Sequence, residues 1–284
     1  MLKVSAANLF PPPLYITERS TKRILSAWHD IPLRPRGDPS ICNFIAEIPK
    51  GIKPPKLEVD VTIPYNAILQ DKAKDGSPRH YKLDTLIHYG ALPQTYENPE
   101  HKDSKTNQFG DGDPIDVCEI ATHRPTYPGA IYRVKVLGVL AMIDGGETDW
   151  KVLAVRTDDP LAKQVEDISK ISSTPIHILK LADQIREWFR IYKVPEGKGE
   201  NSFSFNGQWL GRDDALDIIS DTHQQWKDVV EGKVIVNSIK KKPWLPSSDW
   251  KKPDIDFLQP VHMNGDKEGI SSTSDLLTSV STRR

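Results

Sequence analysis

Asp111, Asp113 and Asp116 fall within six residues, in the string DGDPID. Side chains two residues apart on an extended chain point the same way, so Asp111 and Asp113 share a face. Pro114 cannot donate to a ladder and sets the string at a bend that swings Asp116 toward them. Three carboxylates within about 4 Å of one another repel by roughly 4 kcal/mol per pair at an effective dielectric near 20. A cation has to sit among them. Oxygen-only donors, with no His or Cys inside the string, call for a hard ion, Mg²⁺ or Ca²⁺, rather than zinc. An EF-hand is excluded, because its loop wants Gly sixth and Glu twelfth, whereas here Gly is second and Asp sixth. Taken alone, the string reads equally well as a solvated acidic turn.

It has company. Asp144 closes one apolar run and Asp149 opens the next, with Lys151 on the face of Asp149. Lys56 and Glu58 share one face of an alternating segment, and Tyr192-Lys193 end an amphipathic stretch. Each has a plain structural reading: Asp149–Lys151 an ordinary ion pair, Tyr192 a core tyrosine, Lys193 a complement to a helix C-terminus. Together with Arg79, the three lysines and the carboxylates describe a site for a small, highly charged anion held by divalent metals. That is the chemistry of phosphoanhydrides. Metals bridge phosphate oxygens and acidify a water, cations neutralise the leaving phosphate, and one carboxylate takes the water's proton.

The elements that must position these groups are legible as patterns. ICNFIAEI (41–48) and KLEVDVTI (56–63) read as strands, the second with period-2 alternation. IYRVKVLGVLAMI and WKVLAV read as two buried strands joined by a hairpin loop, DGGETD at 144–149, where Gly145-Gly146 permits positive φ. Apolar residues at three and four residue steps predict a helix over 175–193, with Thr174 as N-cap and Pro175 at the first position. A second helix follows over 213–231, stopped by Gly232. Helices after strands indicate an α+β fold.

The 284 residues suit one large domain, 1–240, followed by an extension, 241–284, whose Gly/Ser/Thr-rich end lacks periodicity and reads as partly mobile. Trp244 and Trp250 could anchor it. Charge is balanced, 38 Lys plus Arg against 39 Asp plus Glu, so no global field draws the chain to nucleic acid. No apolar run approaches the roughly 20 residues a bilayer span needs. Cys42 and Cys118 are too few for a disulfide framework, and Cys118 reads as a small buried hydrophobe. The cytoplasm is the expected compartment, with mitochondria the alternative raised by a basic first 27 residues. His29, His88 and His123 lack ligand spacing and read as structural.

SAWHDIPL from Ser26, KLEV from Lys56, YGALPQT from Tyr89, DGDPIDV at 111–117, VKVLGVLAMID with GETDWKV through Val152, and WFRIYKVP from Trp188 together resemble the soluble family I inorganic pyrophosphatases of eukaryotic type. The resemblance spans about residues 26–231. It implies an OB-like five-stranded β-barrel with helices outside, a homodimer, and Mg²⁺-dependent hydrolysis of pyrophosphate to two orthophosphates, which keeps biosynthetic reactions irreversible. Several Mg²⁺ ions per site are implied, with Mn²⁺ or Zn²⁺ as substitutes and Ca²⁺ as an inhibitor. By motif, Asp111, Asp116 and Asp149 are the main metal ligands, and Asp144, Glu58 and Glu47 partners of further ions. Asp113 is the base and Tyr89 a second catalytic group, while Lys56, Arg79, Lys151, Tyr192 and Lys193 bind phosphate. One departure stands out. The family pattern carries a stretch resembling N-x-F-P-x-x-G-Y-I after its arginine, whereas here KLDTLIH leads directly to Tyr89, with Thr85 in place of a tyrosine. The expectation is lowered activity on an intact metal site. Two other readings stay open: a weakened homologue serving as a dimeric scaffold, and an OB-type module that binds single-stranded nucleic acid.

Overall fold

The computed structural model describes residues 10–18, 21–35, 37–120, 124–236 and 242–246. The tail from 247 onward, Trp250 and His123 lie outside the described residues. In chain order the strands are β1 (Ile16–Thr17), β2 (Ile24–Leu25), β3 (Ile41–Ile48), β4 (Leu57–Val59), β5 (Ile68–Gln70), β6 (His88–Ala91), β7 (Phe109–Gly110), β8 (Asp116–Glu119), β9 (Ile131–Asp144), β10 (Glu147–Arg156) and β11 (Ser202–Phe203). The helices are α1 (Ile176–Ile191) and α2 (Arg212–Val230).

Five strands pair in a ring. β3 lies antiparallel to β9 and β9 to β10; β10 runs parallel to β8, which is antiparallel to β6, which returns antiparallel to β3. Such closure leaves no edge in the barrel, and it is the five-stranded α+β arrangement expected. A register shift near Leu153/Ala154 leaves Leu137 as the extra residue of β9. One extra residue reverses the alternation. Val134 and Val136 before it, and Val139 and Ala141 after it, therefore join the same buried cluster, with Phe44, Trp150 and Val152, beneath Ala215, Ile218 and Ile219 of α2. Leu137, Met142, Leu153 and Val155 build the other cluster, under Ile178, Ala182, Ile185 and Phe189 of α1. Each large side chain so buried contributes about 1.5–3 kcal/mol. Gly138 is required at the bulge, because a Cβ there would stand 2.4 Å from the Leu210 carbonyl.

Three expected boundaries move. The 56–63 strand stops at Val59, because the Asp60 carboxylate accepts the Thr62 amide at 2.7 Å and folds the chain into a turn ahead of Pro64. Thr174 does not cap α1: its hydroxyl donates to the carbonyls of Asp167 and Lys170, both at 3.0 Å, and Pro175 takes the N-cap position. The hairpin tightens to a two-residue turn at Gly145 (φ +62°) and Gly146 (φ +91°), so β10 already begins at Glu147. α2 ends as expected, with Gly232 at φ +71°.

Trp244 does anchor its segment. Its amide donates to the Val61 carbonyl at 2.8 Å, its ring rests on Tyr65, and its carbonyl lies 3.1 Å from His29 Nε2. Because the Trp226 indole donates to His29 Nδ1 at 2.9 Å, the imidazole carries its proton on Nε2 and donates it to Trp244. His88 is likewise structural, accepting the Lys50 amide on Nδ1 at 2.9 Å. Cys42 and Cys118 are buried free thiols.

Candidate active site

The chemistry gathers at one rim of the barrel, where strand ends and turns meet around a cleft of about 430 Å³. Gly112 (φ +86°) makes the reversal that an L-residue would resist, and the Asp113 amide then donates to Asp111 Oδ1 at 2.9 Å. The loop is stitched to Glu97 by two backbone bonds, Gly112 N–H to the Glu97 carbonyl at 2.8 Å and Glu97 N–H to the Asp113 carbonyl at 2.9 Å. Pro114 follows, and β8 opens on Asp116, directly opposite Lys151 of β10. Asp144 and Asp149 arrive on the two arms of the tight hairpin, Lys56 and Glu58 beside β4, and Tyr192 and Lys193 from the end of α1.

All thirteen site residues expected from the sequence line this one cleft. Its carboxylates and cations interleave. Lys151, 2% exposed at its side chain, donates to Asp116 at 2.5 Å and to Asp149. Lys193 pairs with Asp144, and Lys56 with Glu58 and, at 3.4 Å, with Asp71. Arg79, the residue ahead of the shortened stretch, is held by Asp71 and Glu196, both at 2.9 Å, and faces the cleft beside Lys56. Tyr89 donates its hydroxyl to Asp116 and accepts from Lys151 at 3.0 Å. Tyr192 donates weakly toward Asp144 at 3.4 Å. Thr85 is turned away, its hydroxyl accepting the Gly51 amide at 2.9 Å.

Burial sets the protonation pattern. It pushes the Asp149 carboxyl up to about 7, against the pull of Lys151, with the Asp116 charge adding to the rise. Glu47 is raised well above the carboxylate range by burial and then by Asp116, although it accepts the Val59 amide at 2.6 Å. Asp144 goes the other way: the hydrogen bond and charge of Lys193 outweigh its burial. Lys56 and Lys151 stay charged, because facing carboxylates override the burial that would discharge them. Burial also keeps the Tyr89 and Tyr192 phenols protonated donors.

Five groups at the site were missed from sequence: Glu97, Asp71, Glu147, Glu196 and Tyr81. Glu97 is the most telling. It is 3% exposed, its Oε1 accepts the Trp150 amide at 2.9 Å, and its Oε2 is buried without a hydrogen-bond partner among the described residues. Burial, then Asp111 and Asp149, drive its carboxyl well above the usual range. Ligand oxygens of Glu97, Asp111 and Asp149 lie within 4.8 Å of one another, a constellation able to hold a metal ion. The nearest signal was its place in YENP, after the PQT string, far in sequence from Asp111 and Asp149.

Fold and site thus define a five-stranded barrel protein whose rim interleaves acids and fixed cations around a polar cleft. The inorganic pyrophosphatase family profile matches residues 44–227. The inorganic pyrophosphatase of Mus musculus is 41% identical over 249 residues, covering 83% of each chain, and that of Schizosaccharomyces pombe is 39% identical over 241 residues, covering 83% of this chain and 81% of its own. Among solved structures, the inorganic pyrophosphatase of Schistosoma japonicum superposes with a TM-score of 0.70 at 39% identity, over 76% of this chain and 75% of that one. A truncated vacuolar soluble pyrophosphatase of Trypanosoma cruzi, solved in complex with PPi, gives 0.68 at 34% identity, over 82% and 97%. The chain belongs to the inorganic pyrophosphatase family.

Proposed function

We propose that this chain hydrolyses inorganic pyrophosphate to two orthophosphates with Mg²⁺. The observation that carries the reading is the cleft's two-signed lining, in which acids able to hold divalent ions interleave with four cations, Lys56, Arg79, Lys151 and Lys193, able to hold phosphate.

The residues fit the metal. Buried oxygen-only donors and the orphaned Glu97 Oε2 suit a hard cation. Asp111, Asp116 and Asp149 would hold it, with Glu97 adjoining, and Asp144, Glu58 and Glu47 would serve further ions. Bound Mg²⁺ supplies Lewis-acid charge, neutralising phosphate oxygens and acidifying water. The chain's own groups do the rest. Asp113 accepts the proton of the attacking water as its oxygen bonds to phosphorus and the bridging P–O bond breaks. Lys56, Arg79, Lys151 and Lys193 donate to the phosphates, and the neutral phenol of Tyr192 donates without adding charge. Tyr89, bonded to both Asp116 and Lys151, holds those two groups in place. The bridging oxygen leaves as phosphate, its charge met by the cations.

A homodimer, as the family resemblance implies, and a cytoplasmic setting, with mitochondria as the alternative, belong to the same proposal, and light scattering reads the first. Phosphate release from pyrophosphate, with and without Mg²⁺, tests the activity. We expect turnover that requires the ion and falls about 10²–10⁴-fold in Asp113→Ala. Turnover left intact by that substitution overturns the assignment of the base, and no release by either form overturns the function.

A further inference from the structure

Trp188 stands outside the polar lining of the cleft, yet it joins the shortened 82–87 stretch to a phosphate-facing phenol. Its indole Nε1 donates to the backbone carbonyl of Asp84 at 2.8 Å. Asp84 is itself braced, its carboxylate accepting the Lys53 amide at 3.2 Å. One turn further along α1, at the i+4 position, the Tyr192 ring lies against the indole face, with centroids 5.0 Å apart and planes 13° from parallel. Tyr81 closes the arrangement, meeting Trp188 edge-on at 5.2 Å and Tyr192 at 5.8 Å.

We propose that Trp188 is a positioning residue for pyrophosphate turnover: its indole, latched to the Asp84 carbonyl, packs against the Tyr192 ring, fixes the swing of that side chain about its Cα–Cβ bond and so aims the Tyr192 hydroxyl into the cleft. The inference rests on the pyrophosphatase reading of the site. A tyrosine hydroxyl is placed by the first side-chain torsion, since the second only spins the ring about the Cβ–Oη axis, and packing around the ring decides which staggered well the first one keeps. Here the ring is clamped between an indole face and a tyrosine edge, and the indole is fixed in turn by one directional hydrogen bond. The 82–87 stretch therefore acts on the site through its backbone, although Thr85 points away from the cleft.

A double-mutant cycle tests this. Trp188→Phe keeps an aromatic face and removes the N–H. It should raise KM for magnesium pyrophosphate about three- to tenfold, the worth of one misplaced hydrogen bond, with a smaller change in kcat. In a Tyr192→Phe background, where no hydroxyl is left to aim, the same substitution should change KM by less than about twofold. An equal factor in both backgrounds overturns the proposal. Should Trp188→Phe fail to fold, the isosteric benzothienyl analogue of tryptophan, which lacks only the N–H, gives the same cycle. A second readout needs no turnover. With 3-fluorotyrosine in the full chain, the ¹⁹F signal assigned to residue 192 by Tyr192→Phe should shift or broaden when the indole N–H is removed. An unchanged signal contradicts the proposal even if the wild-type chain proves inactive, so its failure and that of the pyrophosphatase reading are told apart.

Discussion

Lys151 faces Asp116 across the parallel β8–β10 pair, its ammonium 2.5 Å from the Asp116 carboxylate and bonded also to Asp149. The lysine occupies the middle of an acidic group that would otherwise repel itself. Removing one member of a buried ion pair costs about 3–5 kcal/mol, because the remaining charge is stranded. Lys151→Met should therefore lower the metal-free unfolding free energy by about that amount. Mg²⁺, supplying the missing positive charge, should restore part of the loss, and urea unfolding with and without Mg²⁺ measures both.

Metal binding should be linked to proton release. In the metal-free fold the Asp149 carboxyl, raised to about 7, holds a proton below neutrality, and Glu97 is raised too. A divalent ion requires the anions. Affinity should thus climb as pH rises toward 7, by about tenfold per unit for each proton displaced. The same shift destabilises the metal-free protein: native Asp149 holds a proton that the unfolded chain has lost, so stability from this group is present below pH 4 and is lost as pH rises to about 7. Calorimetric titration with Mg²⁺ in buffers of different ionisation enthalpy reads the released protons. Glu97→Gln should release fewer and bind metal more weakly.

His29 predicts an acid limb of opposite sign. Burial between Trp28, Trp226 and Trp244 drives its pKa down from 6.5 to about 4, although the Trp244 carbonyl favours the charged form. The unfolded chain binds the proton first, so this stability is complete above pH 6.5 and is lost as pH falls toward 4. The loss amounts to about 3 kcal/mol. His29→Gln should flatten that limb of the stability curve, measured by urea unfolding between pH 7 and 4.

What the sequence revealed and what it hid divide along physical lines. β9 and the α1 and α2 stripes were legible because their periodicity is set by burial, and Asp111, Asp149 and Lys151 because their spacing places them on shared faces. Element ends were less so. At Asp60 and Thr174 a short-range side-chain hydrogen bond competed with the expected element: the Asp60 carboxylate takes the Thr62 amide, and Thr174, with every local credential of an N-cap, spends its hydroxyl on Asp167 and Lys170 instead. Glu97 and Asp71 stayed hidden because their partners, Asp111 with Asp149 and Arg79, are brought to them only by the folded barrel rim. The C-terminal strap at Trp244 depends on Val61 and on His29, 215 residues away in sequence, and no local pattern encodes that contact.

The most direct test of the account is diffraction from crystals grown with Mn²⁺ and phosphate, measured at the manganese absorption edge. Anomalous peaks are expected among Asp111, Asp116 and Asp149, with phosphate on Lys56, Arg79, Lys151 and Lys193. Manganese bound elsewhere, with Asp116 and Asp149 still closed on Lys151 alone, would contradict the account.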